Sequence, residues 1–425
     1  MPQPSASMEI HTSPPEAAPV RLGERIASID VLRGVALLGI LLLNVRTFAL
    51  PSAAYSSPVV AGGETPADIF AFTTVQLLAD QKFMAIFSLL FGAGLVIFTS
   101  RAETRTGQSV GLHYRRMGWL LLIGLCHAWL LWWGDILVGY AVCGMAVYPL
   151  RHLRPWAQAT IGAALLIVGA MIWLGMGSAV AMGGPEVVAE VKALSAPTAE
   201  GLAEEQAAWA GGWLDQAPMR IGLATTLETF ILLAWVVWRA GGLMLIGMAC
   251  FKWGVFDTKR RPLFHVLMAA VGFAFGIPLV WHGLSVQESC GWSGIDVAFA
   301  NTLWNYWGSI GVAAGWIGVV MLLCRINLAA VIRSSLAAVG RMALSNYLAQ
   351  SVLCGVIFYG WGLGYYGHFG YAEQLVIVMG IWAAQLIWSP LWLSVFRFGP
   401  MEWLWRSLTY WQVQPLSRSS LHSSA

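Results

Sequence analysis

Charge is what this sequence has least of: 11% of its 425 residues are Asp, Glu, Lys or Arg, against 58% hydrophobic, and mean hydropathy is +0.68. A water-soluble chain carries roughly a quarter charged residues, and one globule lacks the interior volume to hide this much apolar surface. An ordinary soluble enzyme is excluded. A surplus of positive charge is lacking too, since the net charge is only +3, so no nucleic-acid partner is expected. The six cysteines (Cys126, Cys143, Cys250, Cys290, Cys324 and Cys354) form no C-x-x-C or zinc-ligand spacing. All but Cys290 fall in apolar runs or at their edges, which reads as reduced packing thiols. No H-x-x-x-H or paired His/carboxylate spacing occurs, so neither a metal nor a permanently bound cofactor is expected. Also missing are a basic n-region in the first thirty or so residues, an A-x-A-like site after the first apolar stretch, and a lipidation box. The first span is therefore expected to stay uncleaved behind a disordered Pro/Ser-rich tail, Met1 to Pro19.

What is present is a series of apolar stretches, at about 31–50, 83–100, 117–133, 136–151, 156–181, 227–251, 263–284, 304–323, 342–363 and 375–396. Each is long enough, or nearly so, to cross a hydrocarbon layer of roughly 30 Å as a helix. The expected fold is an all-α polytopic membrane protein of about ten transmembrane helices. Its single membrane domain covers 21–412, between tails at 1–20 and 413–425, with the bilayer as its first partner. Alternating the loops places Arg21, Arg25, Arg33, Arg101, Arg105, Arg115, Arg116, Arg151, Arg154, Lys252 and the later Arg clusters on one side, whereas the other side holds only Lys82, Lys192 and Arg220. Short cytoplasmic loops are the basic ones, so both termini are expected in the cytoplasm. The acidic, Ala-rich segment 183–217 is expected to form one or two helices over the outer mouth.

Polar groups inside such spans cost several kcal/mol unless paired or wet, which makes each a functional candidate with a structural alternative. Asp30 and Arg33, at i and i+3, can pair at the inner end of the first span, or Arg33 can hold an anion there. Asn44 lies on the same helix face as Arg33, about 16 Å further along the axis. Asp80 and Lys82 are expected at the outer end of the second span, in solvent. His127 sits near Asp135 at a hairpin mouth, either as a packing residue or as a proton acceptor. Arg239, mid-span between Trp238 and Gly241, needs a carboxylate, carbonyls or water, and is expected to line a working cavity. Asn346 and Gln350 are four apart and share a face. Glu402 and Arg406, among Trp403, Trp405 and Trp411, read as an interfacial anchoring helix.

Several of these stretches together resemble the YeiB-like family of bacterial inner-membrane proteins, whose C-terminal part is a domain of unknown function. The residues that carry the resemblance are Arg25, Asp30, Arg33-Gly34 and Asn44; Phe83, Phe87-Ser88, Phe91-Gly92 and Gly94; and His127, Gly134-Asp135-Ile136-Leu137 and Tyr140. The region 325–412 adds Gly340-Arg341-Met342, Ser345-Asn346-Tyr347, Gly399-Pro400 and Glu402-Trp403-Leu404-Trp405-Arg406. The match runs from about 21 to 412 and implies the bacterial inner membrane. More distantly the chain is similar to transmembrane acyltransferases, one branch of which has Arg, ten residues, then a catalytic His in the first span. Here Arg33 is followed at that spacing by Asn44, whose amide cannot act as a base. No His occurs between 51 and 82, where another branch carries it.

What the resemblance implies is an enzyme that takes an acyl group from a cytoplasmic donor such as acyl-CoA to an acceptor across the membrane. Arg33, Arg115, Arg116 and Arg341 would hold donor phosphates. His127 with Asp135 would be base and orienter, and Arg239, Asn346 or Gln350 would stabilise an oxyanion. The alternative is a transporter for a small anionic solute or lipid precursor, with Arg239 as its mid-membrane anion site.

Overall fold

The structure is a computed structural model that describes residues 27–107, 109–326 and 330–418. Arg21, Arg25 and the tail over 1–20 lie outside the described residues, as does the chain beyond 418. Among the described residues the fold is helical, and extended pairing is confined to an isolated bridge between Phe396 and Ser417. Helix α1 (Ala27–Ala49) runs through the middle, with buried residues on every side. A helix apolar all round is stable only where protein or lipid surrounds it. Helices α2 (Pro66–Leu78) and α3 (Lys82–Thr106) meet at Gln81, whose φ of 62° turns the chain between them.

Next come α4 (Val110–Leu130), α5 (Leu137–Val147) and α6 (Pro155–Met182). The segment 183–217 holds two helices, α7 (Pro185–Ser195) and α8 (Ala199–Ala210). Helix α8 is tied down by Glu205, which accepts from the Ser52 amide at 2.9 Å, and by Trp209, buried and stacked on Tyr359 at 4.7 Å. Helix α9 (Ala217–Thr226) runs through a π-helical stretch, Leu227–Val236, into α10 (Val237–Lys252). The remainder is α11 (Pro262–Ser289), the single turn α12 (Ile295–Ala298), α13 (Thr302–Leu323), α14 (Ala330–Arg341), α15 (Ala343–Phe358), α16 (Tyr371–Val395) and α17 (Pro400–Tyr410).

Seven segments among the described residues are long and apolar enough to cross a membrane: Ala27–Ala49, Pro66–Arg105, Pro155–Met182, Ala217–Lys252, Pro262–Ser289, Ile295–Leu323 and Tyr371–Val395. The three other expected spans fall short for different reasons. Helix α4 is charged through Arg116 and apolar only beyond it, while α5, with 11 residues, and α15, with 16, are shorter than the hydrocarbon layer. Helices α6, α11 and α16 expose Met171, Phe275 and Leu391, each more than half accessible, as a face toward lipid requires.

Helices α1 and α14 cross at Gly34 and Gly340. A Cβ on Gly34 would lie 2.1 Å from the Leu336 carbonyl oxygen, and one on Gly340 would lie 1.9 Å from that of Asp30. The two backbones therefore touch, as small residues permit in membrane helices, and the crossing sets Arg33 and Arg341 beside one cavity.

Candidate functional site

That cavity has a volume of about 270 Å³ and runs along α1, α3, α4, α14, α15 and α17. Its charged walls gather at one end: Asp30, Arg33, Arg101, Arg116, Arg341, Glu402 and Arg406. Phe87 and Arg101, both on α3, face it, and the helical rise separates them by roughly 21 Å. It is thus a deep slot, apolar along its length and cationic at its mouth. Arg33 donates to Asp30 at 3.0 Å. The Arg116 guanidinium lies between the rings of Phe98 and Trp405, at 4.5 and 4.0 Å. The Nε of Arg341 is buried without a partner among the described residues. Five arginines against two carboxylates leave the mouth positive, and both acids are engaged, Asp30 by Arg33 and Glu402 by α15. Glu402 accepts from the Leu344 amide at 2.7 Å, the Ser345 amide at 3.1 Å and the Ser345 hydroxyl at 2.5 Å. It caps α15, and the expected anchoring pair with Arg406 gives way to this role because the carboxylate is turned inward. Burial pushes its carboxyl above the ordinary range, opposed by those hydrogen bonds.

The inner end of the slot is formed by Ile136, Leu137, Tyr140 and Tyr347. Tyr140 meets Ser88 at 2.8 Å and packs on Phe87 and Phe91. Directly behind this end lies a buried relay. Nδ1 of His127 is 2.6 Å from Oδ2 of Asp135, and Nε2 is 2.8 Å from Oγ of Ser351. An ionised carboxylate can only accept, so the Nδ1 proton points to Asp135 and leaves Nε2 facing the Ser351 hydroxyl, which also reaches the Tyr347 carbonyl at 3.4 Å. The other carboxylate oxygen of Asp135 accepts from the Val138 amide at 2.8 Å, which fixes the acid at the start of α5. Gly124 makes room for it: a Cβ there would lie 3.0 Å from Oδ1 of Asp135 and 2.8 Å from the Val138 nitrogen. His127, Asp135 and Ser351 are 2%, 5% and 4% exposed, so the relay is shielded from bulk water.

The structure separates the other sequence candidates from this site. Arg115 is not in the cavity wall; its guanidinium faces the Trp411 ring at 5.8 Å. Asn44, half-buried on α1, does not line the cavity either. Arg239 donates to the Tyr306 carbonyl at 3.0 Å and to Ser309 at 2.6 Å, with its guanidinium 4.2 Å from the Tyr306 ring. It joins α10 to α13 away from the slot. Asn346 donates to the Val339 carbonyl and to Ser389 and accepts from Trp388, while Gln350 donates to Gln385 at 2.9 Å. Both pin α15 to α16.

Asp80 and Lys82 are buried, contrary to the expectation that solvent surrounds them. Asp80 accepts from Tyr55 at 2.7 Å and Asn305 at 2.6 Å, and Lys82 donates to the Gln76 carbonyl and to Asn305, both at 2.6 Å. Arg46 completes this cluster by donating to the Tyr55 and Phe72 carbonyls. The reading of charges as outer-end groups missed it because α2 and the α1–α2 loop fold over them.

Fold and site together define an all-helical protein with membrane-length apolar segments, a slot with a cationic mouth, and a buried Asp–His–Ser relay behind it. The chain belongs to the YeiB-like family. It is 33% identical to the uncharacterized protein YeiB of Escherichia coli (strain K12) over 406 residues, covering 93% of this chain and 100% of that protein. It is 31% identical to the uncharacterized protein YxaH of Bacillus subtilis (strain 168), covering 95% and 98% of the two chains. A 39.9 kDa protein from the amylase 3′ region of Bacillus acidopullulyticus is 27% identical over 94% of this chain and 97% of its own. The family profile described as a protein of unknown function (DUF418) matches residues 250–412.

Proposed function

We propose that this protein is an acyltransferase embedded in the bacterial inner membrane, with both termini and the cationic mouth on the cytoplasmic side. On this reading α4, α5 and α15, too short or too charged to span lipid alone, cross within the protein to complete about ten traversals alongside the seven longer segments, and the donor is an acyl-CoA. The observation that carries the reading is that one slot joins an arginine-lined mouth to Tyr347 and Ile136, the immediate neighbours of His127 and Asp135. Phosphates of the donor would meet Arg33, Arg116 and Arg341, where charge-assisted hydrogen bonds are strongest. The acyl thioester would enter the apolar slot and reach His127, which takes a proton. The volume of 270 Å³ suits the reactive arm of such a donor, leaving its nucleotide at the mouth. The transport alternative depends on Arg239 as an anion site, and that guanidinium is already bound to Tyr306 and Ser309.

The test is thermal stabilisation of detergent-purified protein by acetyl-CoA, longer acyl-CoAs, free CoA and other small anions. A ligand of the folded state raises the melting point in proportion to the logarithm of its concentration over Kd, above saturation. Saturable stabilisation by a CoA thioester, lost in Arg33→Ala, is the expected outcome. No response to any CoA compound alongside a response to another anion would turn the reading to transport.

A further inference from the structure

His127 does not stand alone with its acid. Its second ring nitrogen is bonded to a hydroxyl, which is the arrangement that activates a serine as a nucleophile. Two buried hydrogen-bond donors beside the imidazole find no acceptor among the described residues, although the Tyr347 oxygen itself lies near the Ile136 amide. They are the Tyr347 hydroxyl, 3% exposed with its ring centroid 5.0 Å from that of His127, and Nε1 of Trp132, 2% exposed with its ring 6.1 Å away. A buried donor without an acceptor costs roughly 1–3 kcal/mol. Here two are kept on rings that flank the imidazole bonded to Ser351, and Tyr347 also forms the slot's inner wall. A ligand oxygen arriving from the slot would meet the Tyr347 hydroxyl first.

Resting on the acyltransferase reading, we propose that Ser351 is the nucleophile, so that the acyl group is held as a Ser351 ester before it reaches the acceptor. The Ser351 Oγ attacks the thioester carbonyl carbon, forming a C–O bond, while its proton passes to Nε2 of His127. The carbonyl oxygen becomes an oxyanion that Tyr347 and Trp132 can donate to. Collapse breaks the C–S bond, and the thiolate leaves with the proton from His127 as free CoA. In the second half the acceptor hydroxyl or amine gives its proton to His127 and attacks the ester carbon. The Ser351–acyl bond then breaks, and the proton returns to Ser351. Asp135 is a positioning residue that holds the ring in the tautomer both halves require.

The experiment uses full-length protein in detergent, mixed with acetyl-, octanoyl- and palmitoyl-CoA without acceptor. Thiol release is followed, and acid-quenched protein is weighed intact and as peptides. One equivalent of CoA released in a burst, with one acyl group on the Ser351 peptide, is expected. Ser351→Ala should lose both burst and adduct while keeping the thermal shift given by free CoA. Ser351→Cys should accumulate an adduct cleaved by neutral hydroxylamine. A burst of undiminished size in Ser351→Ala, or an adduct on another residue, overturns the nucleophile while leaving acyl transfer standing. If no CoA compound shifts the melting point or loses its acyl group, the acyltransferase reading fails and the nucleophile falls with it.

Discussion

Two polar clusters lie buried in this molecule, and they differ in how completely they are paired. Around Asp80, the side chains of Arg46, Tyr55, Gln76, Lys82 and Asn305 leave no buried nitrogen or oxygen without a partner. Around His127, the relay to Asp135 and Ser351 is complete, but among the described residues Tyr347 and Trp132 keep unpaired donors, and a cavity opens beside Tyr347. Saturated networks rigidify a core, whereas a vacancy in an otherwise satisfied network is costly to keep and marks where a ligand belongs. On the proposed reading, the same residue types serve architecture at one place and chemistry at the other.

The comparison can be broken by variants that act on one cluster alone. The largest effect is expected from His127→Gln, which keeps a buried hydrogen-bonding amide but no base. Acyl transfer should fall roughly 10²–10⁴-fold, while the melting point moves little, as measured by CoA release beside thermal unfolding. Asp80→Ala should do the reverse. It strips the acceptor from both Tyr55 and Asn305, at roughly 1–3 kcal/mol for each stranded donor, so unfolding should come at lower temperature while acyl transfer per folded molecule stays near the original. Gly340→Ala drives a methyl group onto the Asp30 carbonyl and should cost about 1–3 kcal/mol. Its distinctive signature is a loss of CoA-induced stabilisation larger than in Asp80→Ala, since the mouth is spread. The smallest effect is expected from Arg33→Lys, which keeps the charge and loses the fork. CoA affinity should weaken about tenfold, for roughly 1.4 kcal/mol, and added salt should narrow the gap.

Most of the fold was legible because a lipid-facing or fully enclosed helix announces itself by composition alone. The shortfall lay in α4, α5 and α15, where length or terminal charge, rather than hydropathy, sets the limit. The His127–Asp135 pair was legible as well, since eight residues and a tight turn bring the two together. Ser351 was not, although it stands in a stretch the sequence had singled out, because 224 residues separate it from His127 and only tertiary packing joins them. Arg101 and Arg406 looked like boundary charges, and nothing in one sequence distinguishes an anchor from a cavity wall. Arg239 finds a carbonyl, as the sequence reading allowed, but on α13 rather than in the wall of the slot, and a backbone acceptor leaves no trace in side-chain chemistry to say where it lies.

The crossing of Gly34 with Gly340 bears on how the protein is made. The first helix leaves the ribosome with the Asp30–Arg33 pair in place, yet the surface it must meet is encoded some three hundred residues later. Helix α17, which supplies Glu402 and Arg406, is later still. The mouth therefore cannot exist until α14 and α17 have been made, and until then the glycine face of α1 has no α14 to cover it. A chain cut short before α14 would hold most of the helices and still lack Arg341, Glu402 and Arg406 from the wall of the slot.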